Sequence, residues 1–144
     1  MFALILSASA LLTAAEGTIP TEALKPLQGK WQLIAQEHGG KKSPPAEVAT
    51  ITLEITGRKM VTREGIDVKE DSRIEKLDAR AKPAALDVKI TAGPDLDKII
   101  KGIWKRDGER LVICIAEPGK ERPTAFGAGE GTGHTLLTFS RPEK

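Results

Sequence analysis

Residues 26–40 read PLQGKWQLIAQEHGG. A Gly-Lys-Trp opens a segment in which Trp31, Leu33 and Ala35 fall on one face and Gln32 and Gln36 on the other. That two-residue period is the mark of a half-buried strand. Trp31 is one of only two tryptophans in the chain. At the mouth of a strand it serves either as the floor of a binding site or as the plug of a barrel.

Working outward, nearly every readable pattern keeps the same period. In ATITLEIT, residues 49–56, Ile51, Leu53 and Ile55 alternate with Thr50, Thr52, Glu54 and Thr56. ALDVKI places Leu86, Val88 and Ile90 opposite Asp87 and Lys89, and IIKGIWKR places Ile100, Gly102 and Trp104 together. Leu111 to Ile115 is apolar on both faces, and TLLTFSR brings Leu137 and Phe139 to one side. RKMVTRE and DSRIEKLD are weaker strands. Gly57, Gly65, Lys82-Pro83, Gly93-Pro94 and Asp107-Gly108 punctuate the series, the last suiting a tight two-residue hairpin turn. Helical periodicity is confined to a turn in TEALKPLQG, before the first strand. The pattern predicts an all-β antiparallel meander of eight strands. Eight short strands in about 110 residues close into an up-and-down barrel or split into a sandwich, and closure removes the vulnerable edges.

The start of the chain differs. Residues 1–15, MFALILSASALLTAA, contain no charge, run apolar from Phe2 to Leu12 and end in small residues, as a signal peptide does, although no basic residue precedes the run. The apolar run is too short to span a bilayer as a helix. The expectation is an exported domain over residues 16–144, periplasmic, envelope-associated or secreted, with no membrane span in its mature form. The 22 basic and 20 acidic residues are interspersed, so the basic footprint that holds nucleic acid is missing. The lone Cys114 cannot form an internal disulfide, and inside RLVICIAEP it reads as a small buried hydrophobe. A monomer is expected.

Gly29-Lys30-Trp31 resembles the G-x-W signature of lipocalins and their calycin relatives. LQGKW, GPDLDKIIKGIW, DGERLVICIAEPGKERPTAF and LLTFSRP together resemble a family of small exported lipocalin-like domains that is abundant in planctomycetes. The likeness runs from about Leu27 to Arg141, and its most specific element is Ile113 to Phe126. It implies an eight-stranded barrel closed at one end by Trp31, with Arg141 stacked on the indole and Gly29 beside it. It implies no chemical role for any residue.

Two places could meet a partner. Trp104, with Gly102 on its face, either lines a cavity or fills the barrel. The 116–134 segment is longer than a hairpin needs. Its Arg122, Pro123 and Phe126 read as a stiffened piece able to fold over the barrel mouth, or as an ordinary surface loop. His38 and His134 lack the local spacing of zinc ligands, and no serine or cysteine is paired with a base, so neither a metal, a cofactor nor a catalytic site is expected. The leading expectation is a barrel that binds a small apolar molecule. The alternative is a non-catalytic interaction module, contacting an envelope protein or inhibiting a hydrolase, through the 116–134 loop with Arg122 and Phe126 as its contacts.

Overall fold

A computed structural model describes residues 18–142. The expected leader at residues 1–15 lies outside the described residues. A helical turn α1 (Thr21–Leu24) runs through a 3-10 turn (Lys25–Leu27) into β1 (Gly29–His38). After β2 (Lys41–Lys42) and a short helix α2 (Pro45–Val48) come β3 (Ile51–Thr56), β4 (Lys59–Glu64), β5 (Asp67–Asp78) and β6 (Ala84–Ala92). β7 (Ile99–Asp107), β8 (Arg110–Ala116) and β9 (His134–Ser140) complete the chain. Every neighbouring pair is antiparallel, and β9 pairs back on β1, so eight strands form a closed up-and-down barrel. The meander is the one read from the period-two pattern; β2 and α2 are additions that their brevity hid.

Inward positions supply the core. Leu33, Leu53, Leu86, Ile90, Ile113 and Phe139 are buried from five different strands. One inward assignment is corrected. The β1–β9 register shifts between Leu33 and Ala35, a β-bulge that spends an extra residue and turns the strand over. Ala35 is therefore exposed, and Gln36, expected on the outer face, points inward instead.

The base of the barrel is sealed by α1 and its following turn, which bury Leu24 and Leu27 under the cylinder. Trp31 is fully buried there, and its Nε1 donates to Leu27 O at 2.9 Å. The Arg141 guanidinium lies 3.8 Å from the indole centroid and donates to Gln28 O at 2.7 Å. A second cation, Arg106, sits 5.1 Å from the same ring and donates to Pro26 O at 2.7 Å. Burial and the Arg106 charge both lower the Arg141 pKa, yet an arginine stays charged at neutral pH. Gly29 adopts φ +108°, and a Cβ there would come within 2.5 Å of Arg141 Nη1. The positive φ favours glycine, and a Cβ would also push the guanidinium from its place on the indole.

Candidate functional site

The seal occupies only the lower half. Above it the barrel encloses a cavity of about 240 Å³. Its floor and walls come from Leu53, Met60, Leu86, Val88, Ile113 and Phe139, while Trp31, Ile55 and Leu111 lie below it. The half-exposed lining residues Ile51, Ile100, Ile115 and Leu137 stand at the end opposite α1, where the cavity opens. Gly102 lies on the wall: a Cβ there would meet Cys114 O and Ile115 Cγ2 at 3.0 Å, so the glycine preserves both the strand packing and the space. A void of this size among apolar side chains is costly to leave empty, because its lining atoms lose their dispersion contacts.

Four polar side chains interrupt the apolar lining: Gln36, Thr62, Glu70 and Ser72. Thr62 and Glu70 are direct cross-strand partners on β4 and β5, and Ser72 follows two residues along the same face of β5. The register shift after Thr62 leaves Lys69 unpaired and turns Val68 outward, so the inward series of Ile74, Ser72 and Glu70 ends at Glu70. None of the four side chains has a hydrogen-bond partner among the described residues. Burial, and secondarily the carboxylate of Asp95, raise the Glu70 pKa above the ordinary glutamate range. An apolar chamber with a small convergent polar group is the usual composition of a small-molecule site.

Trp104 is buried and does not line the cavity; it fills the lower barrel, and its Nε1 finds no hydrogen-bond partner among the described residues. The 116–134 segment does not fold over the mouth. It lies along the outer wall, because its polar groups find carbonyls there. Arg122 Nη1 donates to Leu86 O and Gly102 O, both at 2.9 Å, and its Nη2 to Asp87 Oδ1 at 2.6 Å. Pro123 is buried, and both Pro123 and Arg122 border a surface cleft that also includes Ile103. Phe126 carries the Lys105 ammonium 4.7 Å from its ring centroid. Ala128 O accepts from the Gly40 N–H at 2.7 Å, fastening the loop to the β1–β2 turn. The loop also covers Cys114, whose Sγ lies 3.4 Å from Gly127 O and whose pKa is raised by burial. Arg122 and Phe126, read as partner contacts, are thus engaged with the barrel itself.

The structure joins Gly29, Trp31 and Arg141 at the base and Arg122 and Phe126 on the wall, and it separates all five from the cavity. His38 Nδ1 lies 2.9 Å from Thr135 Oγ1, and no group of metal-ligating side chains occurs among the described residues. No described helix is long and apolar enough to cross a membrane. Glu70 is the residue that sequence reasoning missed. The signal was its parity: Ser72 and Ile74 point inward, and Glu70 is the next position of that series. No family model, no curated protein and no solved structure matches the chain.

Proposed function

We propose that this chain is a non-enzymatic binding protein of the lipocalin-like kind, holding one small, mostly apolar molecule in the upper half of its barrel. The observation that supports the reading is the 240 Å³ apolar chamber with a mouth at one end. Benzene occupies an apolar cavity of about 150 Å³, so this one suits a somewhat larger guest such as a short alkyl chain. The polar quartet of Gln36, Thr62, Glu70 and Ser72 supplies an anchor for one polar end. The charge-free apolar run of residues 2–12 supports export of the domain, where a carrier or scavenger of such molecules would act.

Calorimetric titration with hexanol and octanol tests the reading. Binding with a Kd between about 1 µM and 1 mM is expected, from the few heavy atoms such a guest buries. Leu137→Phe places a ring in the cavity mouth and is expected to weaken octanol at least about tenfold while costing less than about 1.5 kcal/mol of stability. Absence of binding by either alcohol, or equal affinity in the Leu137→Phe protein, overturns the proposal.

A further inference from the structure

The polar quartet carries more than an anchor. We infer that the cavity selects by headgroup charge, taking alkyl amines in their ammonium form, accepting alcohols less well and rejecting carboxylates. This rests on the ligand-binding reading above and narrows its ligand class.

The argument begins with the donor and acceptor inventory. Gln36, Thr62 and Ser72 both donate and accept, and so favour no sign of charge. Glu70 decides it, because an ionised carboxylate only accepts. It faces the chamber by the inward parity it shares with Ser72 and Ile74, and it is held opposite Thr62. The cations that could neutralise it are engaged elsewhere. Lys69 Nζ pairs with Glu64 at 3.3 Å, Lys98 Nζ with Asp95 at 2.9 Å, and Arg63 Nη1 with Glu54 at 3.0 Å. The turn between β6 and β7 adds Asp95 and Asp97 beside the mouth, and Asp95 is close enough to Glu70 to repel its charge. Among the described residues that line the chamber, Glu70 alone is ionisable, and low-dielectric walls strengthen its pull on a bound cation.

An ammonium placed at this carboxylate relieves two costs at once. It supplies the missing counter-charge to a partly desolvated group, and it screens Glu70 from Asp95. A carboxylate ligand does the opposite: it would add a third negative charge and offer Glu70 no proton at neutral pH. An alcohol donates one hydrogen bond without a charge and falls between. The apolar walls, common to all three, take the same tail.

Titrating the protein at neutral pH and low salt with octylamine, octanol and octanoate, each below its aggregation threshold, separates headgroup from tail. Octylamine is expected to bind at least about tenfold tighter than octanoate, with octanol between them. Glu70→Gln is expected to shrink the amine-to-carboxylate ratio to within about threefold. In the unaltered protein, added salt is expected to narrow the same ratio, which keeps the test intact if the variant folds poorly. Octanoate binding within about threefold of octylamine overturns the inference, as does a ratio that survives both Glu70→Gln and salt. Octanol distinguishes the two levels of failure: if it does not bind, the cavity reading fails; if it binds without charge ranking, only the selectivity does.

Discussion

The two ends of the barrel are built on opposite terms. At the base, the donors that hold the seal have acceptors: the Trp31 indole on Leu27 O, Arg141 on Gln28 O, Arg106 on Pro26 O, and Gln28 Nε2 on Gly57 O at 2.9 Å, with the Trp104 Nε1–H above them the exception. At the mouth, four polar side chains face a void with no partner among the described residues. A saturated cluster reads as structure, whereas polar side chains left open to a chamber are free to meet the polar end of a guest. The contrast separates stability from binding within one small cylinder.

Truncating the seal breaks the comparison hardest. Trp31→Ala removes the largest fully buried side chain and leaves two guanidiniums without their ring, for a loss of about 3–5 kcal/mol in urea unfolding. Octanol affinity of the folded fraction is expected to change less than about threefold, because Trp31 does not line the cavity. A large loss of binding would mean that base and mouth are not independent.

The wall between the two ends gives a middle effect. Arg122→Ala strands Asp87, which is buried, and frees two carbonyls, costing about 1–3 kcal/mol. It also loosens the loop that covers Cys114. Thiol-reagent modification of the native protein is expected to be slow, and at least about tenfold faster in the variant. Unchanged thiol kinetics would show that Arg122 does not hold the loop down.

The smallest effect sharpens the mouth. Folded Glu70 holds its proton more tightly than the unfolded chain does, because burial and Asp95 both oppose its charge, while Lys69 and Lys98 are paired with other carboxylates. Its contribution to stability is therefore full below the ordinary value of about 4.5 and is lost as pH rises through the raised value. Glu70→Gln lacks that loss. At pH 7 it is expected to melt slightly higher than the parent, by about half a kcal/mol or less for a half-solvated group, with the gap closing below about pH 4.5. A variant less stable than the parent at pH 7 would show that Glu70 already has a stabilising partner.

The same division decides what could be read from the chain. Strand identity was legible because Ile51, Leu53, Leu86, Val88, Leu137 and Phe139 keep a strict parity, and parity is all that one buried face demands. The base was legible in part. Trp31 and Arg141 stood out through a resemblance, whereas nothing local in WKRDG marks Arg106 as a partner of an indole 75 residues away. The mouth was hidden in two ways. A bulge adds a residue that no alternation rule anticipates, and one moved Gln36 inward, whereas Glu70 continues the inward parity of Ser72 and Ile74 as a charge where an apolar residue is the usual choice. The path of the 116–134 loop was hidden for another reason. Arg122 is held by carbonyls 36 and 20 residues away, and nothing local in RPT names those acceptors.

The strand that shuts the cylinder is the last one in the sequence. Arg141 reaches Gln28 across 113 positions, and β1 keeps one flank unzipped until β9 arrives. Such distant pairing makes assembly slow, because the seam between residues 29–38 and 134–140 closes only after the strands between them have found their order. Until it closes, β1 presents a bare row of amides and carbonyls that a stray strand could occupy.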